Sequence, residues 1–406
     1  MAFQQGLSGL NIASKALDAI SNNVANSTTV GFKQSQALFA DIYATTLGGG
    51  TQAQIGIGAR INGVAQQFSQ GNITVTDNPL DMAINGEGFF RVTNNGEVLY
   101  SRNGQFNVDK DGYIVNASGY RVTGYGTDAN DNIVITAPID LQVGDALMSA
   151  DPKVTSEAAI SVTLDSRLTP PTTTPFSTTD TSSFSYSTSL TTYDSLGNPH
   201  VLGMYFVKTA TANQWELYTT LDGGAAAGPT NVTFTSSGAL SMVPSTVAQS
   251  FPITTGAVSP LAFTLDLANS KQFGAAFSVD AVSQDGYTSG RLSGLTVSPE
   301  GIVQGRYTNG QSRNLGQVVL ATFQNPDGMV QLGSNAWAET SFSGPPAVGT
   351  PGTGSRGGLQ PGAVEDSNVD LTAELVDMIT QQRAYQANAQ SIKTQDQILQ
   401  TLVNLR

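Results

Sequence analysis

Apolar residues recur at helical spacing at the two ends of the chain. Near the start, the large apolar residues on this pattern are Phe3, Leu7, Leu10, Leu17 and Val24, and Ala13, Ala16 and Ile20 widen the apolar stripe. Near the end, the residues seven apart form a main apolar seam, which consists of Leu371, Met378, Tyr385, Ile392 and Leu399. A second, weaker seam includes Leu375 and Val403. Steps of three, four and seven residues are typical of a coiled coil. We therefore predict a helix near each end and a coiled-coil pair between them. We expect Asn368 to cap the second helix, because Asp370 and Glu374 follow it and suit the positive end of a helix dipole.

Two interpretations of these helices remain open at this point. In the first interpretation, both helices pack on a globular domain of their own chain. In the second, they form a coiled-coil pair that packs mainly against other copies of the chain. Residues 47–58 are rich in glycine, residues 344–362 are rich in glycine and proline, and these segments separate each helix from the middle of the chain. Such segments are typical of linkers or extended connectors, and they favour the second interpretation.

The middle of the chain carries the pattern of a β protein. Short apolar or alternating runs, each bounded by turn residues, occur at 73–75, 89–92, 113–115, 201–207, 215–219, 262–267 and 318–323. The same hairpin motif, an apolar residue followed by three turn residues and a glycine, appears three times. Its glycines, Gly112, Gly238 and Gly301, stand just before the returning strand. Glycine there supplies the positive φ that such a turn requires. The serine- and threonine-rich stretch 169–192 is either a tether or the entry to a β domain, and its alternation favours strand from about 184.

Composition removes several classes of function. The chain has 406 residues, a net charge of −13 and only 12% charged residues, which argues against nucleic acid and anionic membranes as partners. It has no cysteine and one histidine, which removes disulfides, thiolate metal sites and most histidine chemistry. No apolar run is long enough to span a membrane. The first ten residues lack the pattern of a cleaved secretory signal. We expect a structural or binding protein, not an enzyme, without metal or cofactor.

Three candidate sites are better explained as turns. Asp109, Asp111 and Gly112 resemble part of a calcium loop but lack its remaining ligands, so a tight turn is the better interpretation. The glycines at 56 and 58 lack the rest of a dinucleotide-binding motif. His200 lies between a turn and a strand, and we expect it on the surface.

The stretch that follows the first helix is more specific. It is dense in asparagine and ends on Gly-Phe-Lys, with Asn22, Asn23, Asn26, Gly31, Phe32 and Lys33 as its marked residues. Asparagine satisfies backbone groups at helix ends, and Gly31 suits a sharp change of direction. This stretch resembles the N-terminal signature of the flagellar rod and hook family. The C-terminal stretch 367–399 is similar to the family's last helix, and 80–90 and 100–106 resemble its first β domain.

The resemblance implies a structural subunit of the bacterial flagellar hook, a curved flexible tube that couples rod to filament and transmits torque. The partners it implies are many copies of the same chain, the rod protein, and the hook cap, hook-length control and hook–filament junction proteins. It also implies export through the flagellar type III apparatus, without a cleaved signal peptide, to an extracellular position. The seam residues would then form the polymerisation contacts.

The resemblance also divides the chain into four parts. It is strong on both sides of residues 146–284 and fades between them. We therefore expect a helical polymerisation domain (1–30 with 366–406), an extended connector (31–70 with 344–365), an inner β domain (71–145 with 285–343) and an inserted outer β domain (146–284). Tyr205, Phe206, Trp215, Leu217, Phe263 and Leu265 are the predicted core of the insert.

Two rivals stay open. A distal rod protein of the same family shares the terminal motifs but is generally shorter, and the insert favours the hook. A secreted carbohydrate-active or adhesive β protein would use a carboxylate pair, with Asp280, Asp285 and Glu300 as the candidates. That rival does not explain the heptads at the chain ends.

Overall fold

Two long helices stand at the ends of the chain in the computed structural model, which describes residues 2–42, 56–128, 130–143 and 149–404. Helix α1 spans Ala2–Ala25 and helix α2 spans Leu371–Asn404. Neither is long and apolar enough to cross a membrane, a finding that applies to the described residues. The chain divides into two units. The terminal unit comprises Met1–Asp145, Gly294–Arg306 and Ser312–Arg406, and the central unit comprises Ala146–Ser293 and Tyr307–Gln311.

Helix α2 begins at a different cap from the predicted one. The Asp370 carboxylate accepts hydrogen bonds from the backbone N–H groups of Thr372 (2.9 Å) and Ala373 (3.2 Å), so Asp370 is the N-cap. The side-chain oxygen of Asn368 instead accepts the backbone N–H of Gln34 at 2.7 Å. The prediction of Asn368 as the cap was therefore wrong, because this side chain is engaged by a distant segment.

The first part of the terminal unit contains ten strands among its described residues. They are β1 (Ser35–Ile42), β2 (Gly58–Gln66), β3 (Ile73–Val75), β4 (Met82–Asn85), β5 (Phe89–Asn94), β6 (Glu97–Ser101), β7 (Phe106–Val108), β8 (Ile114–Asn116), β9 (Arg121–Tyr125) and β10 (Ile139–Asp140).

The central unit contributes the next ten described strands and part of β21. They are β11 (Ser149–Ala150), β12 (Glu157–Asp165), β13 (Tyr186–Tyr193), β14 (Pro199–Lys208), β15 (Gln214–Leu221), β16 (Ala227–Thr233), β17 (Thr246–Phe251), β18 (Leu261–Asp266), β19 (Lys271–Phe273) and β20 (Ser278–Gln284).

The remaining strands lead back into the terminal unit. They are β21 (Gly290–Val297), β22 (Ile302–Tyr307), β23 (Ser312–Val318), β24 (Leu320–Thr322), β25 (Val330–Gly333), β26 (Ala336–Ala338), β27 (Ala347–Gly349), β28 (Gly358–Pro361) and β29 (Ala363–Glu365). A single turn of 3-10 helix, Pro326–Gly328, precedes β25.

The terminal unit is built from both ends of the chain. Its main sheet has the order β22-β23-β9-β5-β6-β26-β25, so three strands from the first third of the chain lie between two pairs of strands from the last third. The antiparallel pairs β28–β4 and β29–β3 join the two ends again. A core of aromatic residues includes Phe89 of β5, Tyr100 of β6 and Trp337 of β26. This unit therefore closes only when distant segments meet.

The predicted connector segments are largely folded. In 31–70, β1 and β2 form an antiparallel hairpin, and in 344–365, β27, β28 and β29 pair with strands of the terminal unit. The glycines and prolines there mark turns between short strands as well as linkers. The glycine-rich stretch 47–58 lies mostly outside the described residues.

The central unit is a sandwich of two sheets. One has the order β17-β18-β12-β19, with β20 also paired to β12, and the other has the order β13-β14-β15-β16. Alternate residues of β12, β14, β15 and β18 face inward and form one continuous core. Five of the six predicted core residues belong to it: Phe206, Trp215, Leu217, Phe263 and Leu265. Tyr205 lies on the opposite face of β14 and packs against Phe176 and Phe184, so its assignment to the core was wrong.

The hairpin motif behaves as predicted. Gly112, Gly238 and Gly301 have φ values of 80°, 84° and 81°. The N–H of Gly112 donates to the carbonyl of Asp109 at 3.1 Å, and the Asp109 carboxylate accepts the N–H groups of Asp111 and Tyr113. The calcium-like stretch is thus a turn held by its own backbone.

Candidate polymerisation interface

Small residues of α1 form its contact with α2. A Cβ atom on Gly6 would lie 2.9 Å from Cγ1 of Ile392, and one on Gly9 would lie 2.7 Å from the side chain of Asn388. Further along α1, Ala13 is buried and so is Ala16. The two helices approach so closely that a larger side chain on this line would push them apart.

The two helices run antiparallel. Gly6, near the start of α1, meets Ile392 late in α2, whereas Asn23, near the end of α1, hydrogen-bonds Glu374 in the first turn of α2. The described part of α1 begins four residues before Gly6. Because the helices are antiparallel with the same rise per residue, this start lies beside the residue about four positions after Ile392 in α2. The last two turns of α2 therefore extend past the described start of α1. Leu399 lies on the same face of α2 as Ile392 in this overhang.

The predicted seam residues divide into two groups. Leu10, Leu17, Val24, Met378 and Ile392 are half-buried. The exposed ones are Phe3 (49%), Leu7 (45%), Leu371 (46%), Leu375 (44%), Tyr385 (38%), Leu399 (56%) and Val403 (73%). On α1, the residues that face α2 precede the predicted seam by one position. The sequence pattern selects large apolar residues, but a close helix pair selects small ones, so the large side chains are left outside the pair.

The asparagine-rich stretch joins the end of α1 to the start of α2. The Asn23 side chain exchanges two hydrogen bonds of 2.9 Å with the backbone of Ser35 and donates to the Glu374 carboxylate at 2.9 Å. Gln34 donates to the same carboxylate oxygen at 2.6 Å. Asn22 and Asn26 complete the helix end, where the Asn26 side chain donates to the carbonyl of Asn22 at 2.9 Å.

Gly31 makes the sharp change of direction that its position predicts. Its φ is +70°, and a Cβ there would lie 2.6 Å from the backbone nitrogen of Asn103. Its N–H donates to the carbonyl of Glu365 at 2.7 Å, and the next residue, Phe32, is buried. Glycine is required at this position for its conformation and for the close approach of the backbone.

Lys33 belongs to a buried ionic cluster that includes Glu365 and Arg102. The Lys33 ammonium lies 2.6 Å from one oxygen of Glu365, and the Arg102 guanidinium lies 3.1 Å from the other. Lys33 also donates to the carbonyl of Ser69 at 2.7 Å, and the N–H of Gly71 donates to Glu365 at 2.9 Å. One carboxylate thus holds two cations and one backbone N–H, and one of those cations also binds the Ser69 carbonyl.

The cluster carries more positive than negative charge. Burial lowers the pKa of the Lys33 ammonium, although the Glu365 carboxylate opposes that shift. Burial also lowers the pKa of Arg102, against the same carboxylate. Glu365 is therefore the group that keeps both cations in place, because a buried cation without an anion is strongly unfavourable.

Sequence reasoning marked Asn23, Gly31 and Lys33 but missed the partners of the asparagine and the lysine. Glu374 was taken only as a favourable charge near the helix start, and Glu365 and Arg102 were not singled out. One available signal was the position of Glu365 directly after the apolar residues Ala363 and Val364. A carboxylate next to apolar residues can be buried with them, and a buried charge requires a partner of opposite charge.

The carboxylates proposed for the carbohydrate-active rival have structural partners. Asp285 accepts hydrogen bonds from Ser156 and from the backbone of Glu157, and Lys153 lies 3.0 Å away. Asp280 accepts from Thr163 and from Ser278, its neighbour on β20. Glu300 stands in the turn before Gly301. Each of the two aspartates thus ties together strands or turns, which is a structural role.

Comparisons with known families agree along most of the chain. Residues 3–33 match the model "Flagella basal body rod protein", and residues 83–162 match "Flagellar hook protein FlgE/F/G D1 domain". Residues 163–287 match "Flagellar basal body protein FlaE D2 domain", and residues 360–405 match "Flagellar basal body rod FlgEFG protein C-terminal". These matches define a flagellar axial protein whose terminal helices are those of the rod and hook class.

Full-length relatives make the family more specific. The flagellar hook protein FlgE of Escherichia coli strain K12 is 43% identical over 100% of both chains, and that of Salmonella typhimurium is 42% identical over 100% of both. A crystal structure of Helicobacter pylori flagellar hook protein FlgE2 shares the fold, with a TM-score of 0.51 and 15% identity, over 71% of this chain and 99% of that one. The chain belongs to the flagellar hook protein FlgE family.

Proposed function

We propose that this chain is a structural subunit that assembles with copies of itself into the flagellar hook, the curved flexible tube between rod and filament. The observation that carries the proposal is the helix pair, in which glycine and alanine of α1 make the contact with α2 and seven of the large seam side chains stay exposed. The likeness to hook proteins over the whole chain supports the same function.

The exposed side chains have an energetic consequence. Burying one large apolar side chain contributes about 1.5–3 kcal/mol. Phe3, Leu7, Leu399 and Val403 are 45–73% exposed, so in the single chain they lack a large part of that contribution. Helices in proteins are stabilised mainly by the packing of an apolar face, so we expect neighbouring copies to cover the exposed apolar side chains of the helix pair. We assign the seam residues of both helices to contacts between subunits.

The remaining partners follow from the proposed position in the flagellum. The rod protein would meet the first copies, and hook cap, hook-length control and hook–filament junction proteins would act at the growing or finished end. We infer export through the flagellar type III apparatus without a cleaved signal peptide, to the outside of the cell. A chain without cysteine suits this route, because it forms no disulfides before or after passage.

A distal rod protein is the nearest alternative. The central unit, with a core of its own, and the full-length likeness to hook proteins favour the hook. Electron microscopy of tubes assembled from the pure chain separates the two functions. Curved tubes agree with a hook, whereas rigid straight tubes under all conditions would favour the rod.

The assembly contacts are tested by Leu399→Asp. An aspartate at this exposed site leaves the single chain intact but places an unpaired charge in the proposed interface, which costs several kcal/mol there. We expect normal circular dichroism and no tubes in sedimentation or electron microscopy. The matched control is Gln390→Asp, which adds the same charge at an exposed polar position of α2. Normal tubes from Leu399→Asp, or equal failure of both variants, would contradict the assignment.

A further inference from the structure

The single histidine of the chain is buried between two carboxylates. His200 is 5% exposed, although its position after a turn suggested a surface residue. Its Nδ1 atom lies 2.6 Å from a carboxylate oxygen of Asp222, and its Nε2 atom lies 3.3 Å from one of Asp194. These two aspartates are the charged groups that face the ring from the segments around it.

The two aspartates connect His200 to three loops of the central unit. Asp194 accepts the backbone N–H groups of Leu196 and Asn198 and so forms the turn between β13 and β14. It also accepts the Thr255 hydroxyl at 2.8 Å, which ties in the loop 252–260 between β17 and β18. Asp222, at the end of β15, accepts the N–H of Val201 at 2.7 Å.

A second bond joins two of these loops directly. The Ser195 hydroxyl oxygen accepts the N–H of Val258 at 2.9 Å. The turn 194–198 and the loop 252–260 are therefore held by Ser195 and by Asp194, and Asp194 is held in turn by His200. Removal of the charge from the ring would weaken one of these two attachments.

The ring can serve both carboxylates only when it is doubly protonated. A neutral imidazole has one N–H donor and one lone pair. In that form, one of the two carboxylates faces a lone pair and loses its hydrogen bond. Asp194 is buried together with the ring, so the loss of this bond would weaken the hold on its carboxylate, which would then depend on Leu196, Asn198 and Thr255 alone.

We propose that His200 is a proton-operated clamp, which tightens the attachment of the turn 194–198 to the loop 252–260 when protonated and loosens it when it loses its proton. Desolvation by burial lowers the pKa of His200, but the hydrogen bonds and charges of Asp222 and Asp194 outweigh it and raise the pKa above its ordinary value of 6.5. Burial alone would raise the pKa of Asp194, yet its hydrogen bonds from Asn198, Thr255 and His200 hold it well below the usual range.

The direction of the pH effect follows from that raised value. The clamp contributes its full stabilisation below the pKa of histidine in the unfolded chain, and it loses this stabilisation as the pH rises through the folded pKa. The chain has no cysteine and no other histidine, so no other side chain has an ordinary pKa in this range. A change near neutral pH in these loops is therefore attributable to one group.

Histidine labelling of the full chain gives the first test. With one histidine, a ¹³C-labelled chain shows a single ring signal, which we expect to titrate with a midpoint above 6.5. The Asp222→Asn variant should lower that midpoint, because it removes the nearer carboxylate. A wild-type midpoint at or below 6.5 would overturn the proposal without any variant.

Amide exchange of the same chain tests the loosening. After correction for intrinsic exchange rates, peptides covering 194–198 and 252–260 should exchange faster at about pH 9 than at about pH 6. The increase should be no more than about tenfold for each unit by which the pKa of His200 in the folded chain exceeds its value in the unfolded chain. Peptides from β12 in the same unit are the internal control. Thr255→Val should uncouple 252–260 while the ring still titrates high, and His200→Gln should abolish the pH dependence. Equal opening of the wild-type loops at both pH values would refute the clamp.

Discussion

The terminal helix pair and the central unit use apolar residues in opposite ways. In the central unit, Phe206, Trp215 and Leu265 are fully buried between two sheets. In the helix pair, glycine and alanine line the α1 side of the contact, while Leu7 and Leu399 remain exposed. The central unit thus has a large apolar core of its own, whereas the helix pair leaves several of its largest apolar residues exposed, and we propose these for contacts with other copies.

The strongest way to sharpen this comparison is to open the central core. Trp215→Ala removes the largest fully buried side chain and its 2.7 Å hydrogen bond to Gln272, so we expect the central unit to lose about 3–5 kcal/mol. Amide exchange resolved by segment should show faster opening in the central unit and unchanged exchange in α1 and α2. The control Val243→Ala, at a site that is 93% exposed, should change stability by less than about 0.5 kcal/mol. Loss of protection in the helices as well would show that the regions depend on one another.

The buried ionic cluster gives a second, similar effect in the terminal unit. Glu365→Gln leaves Lys33 and Arg102 buried without their anion, and we expect a loss of about 3–5 kcal/mol. The loss of stability is measured by denaturant unfolding, with amide exchange at strands β3, β4, β28 and β29 as the local readout. Glu97→Gln makes the same chemical change at an exposed site and serves as the control. If both variants unfold alike, the cluster does not hold the chain ends together.

A moderate effect is expected from the close helix contact. Gly9→Ile places a branched side chain where even a Cβ would lie 2.7 Å from Asn388. The helices should separate at a cost of about 1–3 kcal/mol, with loss of tubes even though an apolar residue has been added. Gly63→Ala, where a Cβ meets nothing within 4 Å, is the control. Improved assembly of Gly9→Ile would mean that added apolar surface matters more than the close approach.

The smallest expected effect concerns charge. Each subunit carries a net charge of −13, so packed copies repel one another and added salt screens that repulsion. Tube yield should rise modestly as salt increases from low values, whereas a neutral osmolyte at equal osmolality should not reproduce the dependence. A yield that falls with salt would point to ion pairs between subunits as the main contacts.

Local features of the fold and the pairing of the terminal helices followed from the sequence, but the residues that make the long-range contacts did not. The positive φ of Gly112, Gly238 and Gly301 and the strand β3 were predictable, because a turn or a short strand depends on adjacent residues. The helix pair was predicted, but its contact face on α1 was displaced by one residue. The pattern reports which residues are apolar and not how closely two helices approach.

The errors share a physical cause. Asn368 was predicted to cap α2 but bonds Gln34, and His200 was predicted on the surface but lies between Asp194 and Asp222. In both cases a polar side chain found its partner in another segment. Periodicity and turn chemistry carry no information on such pairs, since it is the completed fold that brings them together.

The distant pairing of chain ends in the terminal unit sets an order of events in folding. Lys33 meets its counter-ion only at Glu365, and β3 and β4 meet their partners only at β29 and β28. In a chain that emerges N-terminus first, the continuous stretch Ala146–Ser293 is complete long before those partners appear. Contacts so far apart along the chain are slow to form. The terminal unit therefore closes last, and the surfaces we assign to assembly become available only when nearly the whole chain has emerged.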